Sequence, residues 1–188
     1  MSSAAVGDTA PTFVRRPVFG ADIDTESICR DQALALVFLR HPGSAVTRHV
    51  ALSLHQIWPD LDVADVALVA VIEGDLAAIR DFVPRYHIKY PVVADDGGLY
   101  ESFGVPRDGM LRKTLLSLRP DSIRGYVECL QAGRGLIHGP YDRLMSAVVV
   151  APGGQVAWRW DASSLFERLD VDEFRAQALA AGERRGAA

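Results

Sequence analysis

Between residues 40 and 48 the chain reads Arg-His-Pro-Gly-Ser-Ala-Val-Thr-Arg. Two guanidinium groups, an imidazole and two hydroxyls therefore fall within one short stretch. Arg40 and Arg48 are permanent cations that can hold a carboxylate, an enolate or a phosphate. His41 lies three residues before Ser44, a spacing that suggests proton transfer at a hydroxyl. If Ser44 opens a helix, the free N–H groups of the first turn favour an anion there. This reading nominates Ser44, His41 and Arg48 as catalytic groups, with Arg40 and Thr47 as substrate-binding groups. A plainer reading stands beside it. Ser44 can be a helix N-cap without chemistry, and Arg40 can pair with an acid such as Glu73 or Asp95. No third triad member and no nucleophile-elbow spacing accompanies Ser44 and His41.

Two further candidates lie downstream. The Gly-rich segment from Gln131 to Gly135 reads as a loop or lid, from which Arg134 and His138 can reach a ligand as substrate-binding groups. It is not a GxGxxG fingerprint between a strand and a helix, so no dinucleotide is implied. The five histidines, His41, His49, His55, His87 and His138, show neither HxH nor HExxH spacing, so no metal or other cofactor is expected. His49 and His55 read as helix-surface residues.

The elements that must position these groups follow from periodicity. Ala33 to Leu39 is an unbroken apolar run of strand length, suited to a central strand covered on both faces. The break at His41 to Ser44 leads into a predicted helix from about Ser44 to Trp58. Val46, Val50, Leu54 and Ile57 recur along it at helical spacing, and Pro59 is expected to end it. Val66 to Ile72 predicts a second buried strand. Asp75 is a plausible N-cap for a helix running to about Tyr86, with Leu76, Ile79, Phe82 and Val83 on its apolar face. A short strand is expected over Pro91 to Ala94, then a short helix near Leu99 to Phe103. A further helix is expected around Asp121 to Gln131. Ala147 to Val150, the Pro152-Gly153-Gly154 turn and Val156 to Trp160 predict a hairpin. Trp158 and Trp160 then share one sheet face, for core packing or, on an edge strand, a dimer contact. Val171 to Leu179 predicts a closing helix. Alternating elements followed by a hairpin imply an α/β fold: a mixed sheet with helices on both faces, of thioredoxin-like topology.

Composition narrows the function classes. The chain has 188 residues, 49% hydrophobic and 23% charged, with net charge -4. That suits a single globular domain over 1–188, with residues 1–12 and 181–188 as loose ends. No long basic run marks a nucleic-acid partner. No apolar stretch approaches a membrane span, and no signal sequence is evident, so a cytoplasmic protein is expected. Two cysteines, Cys29 and Cys129, exclude a disulfide scaffold. Seven strand residues at about 3.3 Å each set Cys29 more than roughly 20 Å from Ser44. Val127 and Leu130 around Cys129 suggest a buried, inert thiol.

The segment Phe38-Leu39-Arg40-His41-Pro42-Gly43-Ser44-Ala45-Val46-Thr47-Arg48 resembles the active-site segment of the peroxiredoxin-like branch of the alkyl hydroperoxide reductase/thiol-specific antioxidant (AhpC/TSA) family. Val71 to Gly74, Pro91 to Asp95, Leu99 to Gly104 and Val148 to Val156 resemble that family's later segments in order and spacing. The resemblance covers about residues 10 to 180. It implies a thioredoxin-like (peroxiredoxin-like) fold, and a homodimer as its usual assembly. It also implies a peroxidatic cysteine at the position that Ser44 occupies, with Thr47 at the motif's second position. Pro42 replaces the usual bridge Phe, Arg143 to Ser146 lacks the usual Pro, and Ala151 replaces an Asp.

Peroxide reduction needs a thiolate that passes through a sulfenic acid and is recycled. A serine hydroxyl cannot run that cycle. Three readings follow. The first is a non-redox enzyme (a cyclase, isomerase, lyase or hydrolase) acting on a small organic substrate, as in specialised-metabolite biosynthesis. The second is a non-catalytic pseudoenzyme that binds a ligand or partner. The third is a thiol peroxidase or oxidoreductase that uses Cys129.

Overall fold

The structure is a computed structural model, and it describes residues 4–108, 127, 139–140 and 142–184. Among them run β1 (Val14–Arg15), β2 (Ile23–Asp24), α1 (Thr25–Asp31), β3 (Ala33–Leu39), α2 (Ala45–Val63), β4 (Val66–Glu73), α3 (Leu76–Arg85), β5 (Val92–Asp95), α4 (Gly98–Ser102), β6 (Ser146–Val150), β7 (Val156–Asp161) and α5 (Val171–Glu183). The main sheet has the order β5-β4-β3-β6-β7. β3 pairs parallel with β4 and antiparallel with β6, so it is the central strand. The fold is α/β, a five-stranded mixed sheet flanked by helices.

All seven residues of β3 are buried, as an unbroken apolar run in a two-sided sheet requires. Successive side chains alternate between faces. Ala33, Ala35, Val37 and Leu39 join Val46, Val50 and Leu54 of α2, Ile79 and Phe82 of α3, and Phe174 of α5. Leu34, Leu36 and Phe38 join Cys29 of α1, Leu99 and Tyr100 of α4, and Phe13. The sheet is thus the middle of three layers. Its C-terminal ends carry β3 directly into the Arg40–Arg48 stretch.

Several boundaries differ from expectation. Pro59 does not end α2, which continues to Val63. Proline removes one helical N–H, but Leu61 beyond it is fully buried and holds the last turn against the core. Leu76 is 46% exposed and does not belong to the apolar face of α3; Ile79, Phe82 and Val83 do. Residues 13–32 supply a small two-stranded sheet and α1, which carry no strong periodicity. The lead expected to be loose is tied down from Ala4 onward. Ala4 and Ala10 are buried, and the backbone of Gly7, Asp8 and Ala10 bonds to Val156 and Gly154. α5 extends to Glu183, so the closing helix takes in part of the expected loose tail. The helix expected over 121–131 lies outside the described residues apart from Val127. β7 is an edge strand, and Trp158 and Trp160 both pack on the α2/α3/α5 side, Trp158 lying 6.0 Å from the Phe174 ring. No helix among the described residues is long and apolar enough to cross a membrane.

Candidate functional site

After Leu39 the chain leaves the sheet and turns back at once. The Ser44 N–H donates to the His41 carbonyl at 3.0 Å, closing the turn. Ser44 then has extended dihedrals, φ -72° and ψ 130°, and is the N-cap of α2. Its Oγ accepts from the Thr47 N–H at 3.4 Å, and its carbonyl accepts from the Arg48 N–H at 3.2 Å. A short polar side chain that can leave helical geometry and satisfy a first-turn N–H is what this position needs.

Arg40, His41, Ser44, Thr47 and Arg48 are all less than 10% exposed. Arg40 donates from Nε to the Arg143 carbonyl at 3.0 Å and from Nη1 to the Leu165 carbonyl at 3.0 Å. The same Nη1 lies 3.5 Å from Ser44 Oγ. The structure thus brings Arg40 and Ser44 together at the helix N-terminus. The acids weighed as partners of Arg40 have other partners among the described residues. The Glu73 carboxylate is engaged by Arg143, and Asp95 Oδ2 accepts from the Gly97 and Leu99 N–H groups at 2.9 Å each. Thr47 is fully buried, and its Oγ1 has no hydrogen-bond partner among the described residues. His41 packs against Gly139, where a Cβ would come within 3.1 Å of His41 Cβ and 2.7 Å of the Glu73 carbonyl oxygen. Only glycine fits so close an approach. Arg134 and His138 lie outside the described residues.

Arg48 lines a neighbouring groove. Its Nε donates to the Pro42 carbonyl at 3.3 Å, and its guanidinium stands 5.8 Å from the Tyr86 ring centroid. The groove, of about 550 Å³, lies between the β3–α2 turn and α3. Pro42, Gly43, Arg48, Phe82, Arg85 and Tyr86 line it.

Sequence reasoning missed the strongest ion pair near the site. Arg143 Nε donates to Glu73 Oε2 at 2.6 Å and Nη2 to Oε1 at 3.2 Å, both groups being almost wholly buried. The Arg143 guanidinium also lies 5.0 Å from the Tyr100 ring centroid. The Tyr100 hydroxyl accepts from the Glu73 N–H at 3.0 Å and sits against the Leu39 and Val71 carbonyls. Burial, and then the Glu73 charge, push its ionisation well above the usual phenol range. The available signal was a charge at the end of each apolar run: Glu73 closing one strand, Arg143 just before another. Cys29, in α1 near the opposite end of β3, is buried, and burial pushes its thiol up to about 11. Cys129 lies outside the described residues.

A family model described as the AhpC/TSA family matches residues 6–123. No curated protein sequence matches the chain. Among solved structures, peroxidoxin BcpB from Mycobacterium tuberculosis is similar at 15% identity with a TM-score of 0.62, covering 95% of this chain and 96% of that one. Peroxiredoxin Q of Xanthomonas campestris is similar at 16% identity and a TM-score of 0.61, covering 91% and 89%. A secreted Mycobacterium tuberculosis disulfide oxidoreductase homologous to E. coli DsbE is similar at 17% identity and a TM-score of 0.57, covering 89% and 95%. At these identities the likeness is one of fold.

Proposed function

Because the chain belongs to the AhpC/TSA family, we propose that it is a peroxiredoxin-like protein working without the family's thiolate, as a non-redox enzyme on a small organic substrate. The observation that carries this reading is the N-cap of α2. The group held there is the Ser44 hydroxyl, 3.5 Å from Arg40 Nη1. The resemblance of residues 38–48 puts the peroxidatic cysteine of the family at that position. A hydroxyl in this setting is a hydrogen-bond donor and acceptor beside a cation, not an electron-transfer group. Arg40 and the first-turn N–H groups stabilise negative charge as it develops on a substrate oxygen. His41, at the same turn, is the group that moves a proton. The reaction classes that need only these parts are isomerisation, cyclisation, elimination and hydrolysis. The resemblance further supports a homodimer, the sequence shows no secretory signal pattern, in keeping with a cytoplasmic setting, and the loss of thiol chemistry suits a biosynthetic role in specialised metabolism.

One observation favours a second reading, a binding module without turnover. Arg40 anchors two backbone carbonyls, those of Arg143 and Leu165, and so acts as a structural bracket as well.

The test is hydroperoxide consumption by the purified protein with a thiol reductant, read with intact mass before and after one equivalent of peroxide. The expected result is no consumption and no added oxygen. Consumption with an oxidised Cys129 would mean that the redox role has moved to that thiol, and the reading fails. Ser44→Cys is the positive control: it should gain reactivity toward peroxide, since a thiol beside Arg40 at a helix N-terminus is activated.

A further inference from the structure

We infer that the groove between the β3–α2 turn and α3 is a binding site for a monocarboxylate with an apolar body, held end-on by Arg48. The inference rests on the proposed site in one respect: it names the class of molecule that approaches it.

Arg48 is 94% buried, since its exposure is 6%. A cation at that depth is expected to have an anion beside it. Among the described residues no carboxylate pairs with Arg48. Its Nε is used by the Pro42 carbonyl, and one face of the guanidinium is turned to Tyr86. Neither contact supplies negative charge. Its two Nη nitrogens take no hydrogen bond among the described residues. Two Nη groups side by side match the two oxygens of one carboxylate.

The rest of the groove sets the remainder of the ligand. The Phe82 ring is packed 4.9 Å from that of Tyr86, and Ala77 and Ala78 continue the apolar wall. The two acids that line the groove already have partners. Asp75 Oδ2 accepts from the Ala78 N–H at 3.0 Å, and Asp81 pairs with Arg85 at 2.6 Å. Both remain exposed and negatively charged. They weigh against a phosphate dianion and leave a singly charged head group as the match to the one free cation among the lining residues. The groove volume, about 550 Å³, accommodates a molecule the size of an aryl or short-chain acid.

The experiment titrates the full chain with a panel of propionate, hexanoate, 3-phenylpropionate and cinnamate, read by ligand-observed NMR and calorimetry. 3-Phenylpropionamide and phenylphosphonate are the charge controls. Affinity should rise with apolar size, and 3-phenylpropionate should bind at least about tenfold tighter than its amide. Arg48→Met should remove that preference, and Arg48→Lys should keep only part of it. Ala78→Leu narrows the groove without touching Arg48, so it should weaken the larger acids more than propionate. The inference is overturned if no acid in the panel binds, if Arg48→Met and Ala78→Leu both bind as the parent does, or if phenylphosphonate binds about tenfold better than the carboxylates. Peroxide consumption is a separate readout. A chain that binds carboxylates through Arg48 yet consumes peroxide would refute the non-redox reading and leave this one standing.

Discussion

Arg143 offers its backbone carbonyl to Arg40 Nε at 3.0 Å and its guanidinium to Glu73 at 2.6 Å. One residue therefore ties the cation beside Ser44 to the end of β4. The side chain that fixes Arg143 belongs to Glu73 on the neighbouring strand, one residue beyond the Leu39–Ile72 pair. The geometry at Ser44 depends on a buried charge pair that never touches it.

Breaking that pair from one side leaves a buried charge with, for Glu73, only the half-exposed Arg107 at 3.7 Å as a further ion-pair partner among the described residues. Glu73→Gln and Arg143→Met should each destabilise the protein by about 3–5 kcal/mol. The double variant should cost clearly less than the sum of the two. Urea unfolding of the four proteins completes the cycle. Additive losses would show that the two side chains do not depend on each other.

Ser44→Ala removes the N-cap acceptor of α2. The expected loss is about 1 kcal/mol, read from the unfolding midpoint. Ser44→Asp should recover the stability, because a carboxylate at the N-cap serves the same N–H and favours the helix dipole. Recovery of stability without recovery of any activity found for the parent chain would separate the cap from the chemistry.

Gly97 has φ +110°, and a Cβ there would lie 2.8 Å from Glu73 Oε1. Gly97→Ala meets both a strained backbone and a fixed carboxylate. The expected cost is about 2 kcal/mol or more. Thermal unfolding measures it. Combined with Glu73→Gln, the same substitution should cost less than it does alone, because the carboxylate it strikes is no longer clamped by charge.

Burial raises the Cys29 thiol to about 11 in the folded chain, whereas an unfolded thiol ionises near about 8.5. The folded state keeps the proton where the unfolded state releases it. The resulting stability is complete below the unfolded value and is lost as pH rises from about 8.5 to about 11. Stability should therefore fall more steeply over that window in the parent chain than in Cys29→Ala. Peptide mass mapping should also find Cys29 resistant to iodoacetamide at neutral pH until the chain is unfolded.

The sheet is the most legible part of this sequence. Seven consecutive apolar residues in β3 can be buried only between two layers, and that run, like Val66 to Ile72, locates a strand covered on both faces. The N-cap roles of Ser44 and Asp75 are also local, fixed by one side chain and the N–H groups just ahead of it. Pro59 misleads because the local rule competes with a tertiary one: Leu61 has a place in the core, and the helix bears the proline to reach it. The lead from Ala4 to Ala10 misleads in the opposite way. Small and polar residues give it no periodicity, yet β7 offers it backbone partners. Arg143 and Glu73 escape notice for a third reason. Each is a single charge at the margin of an apolar run, and neither declares which opposite charge it will meet.

The two bonds that hold Arg40 in place reach 103 and 125 residues along the chain, to Arg143 and Leu165. During synthesis the whole 40–48 turn leaves the ribosome long before either carbonyl exists. A nascent chain arrested anywhere before β6 can shape the helix but cannot anchor its arginine. The anchored arrangement of Arg40 thus forms late, when the residues around Arg143 and Leu165 dock, and a growing chain holds the start of α2 without it.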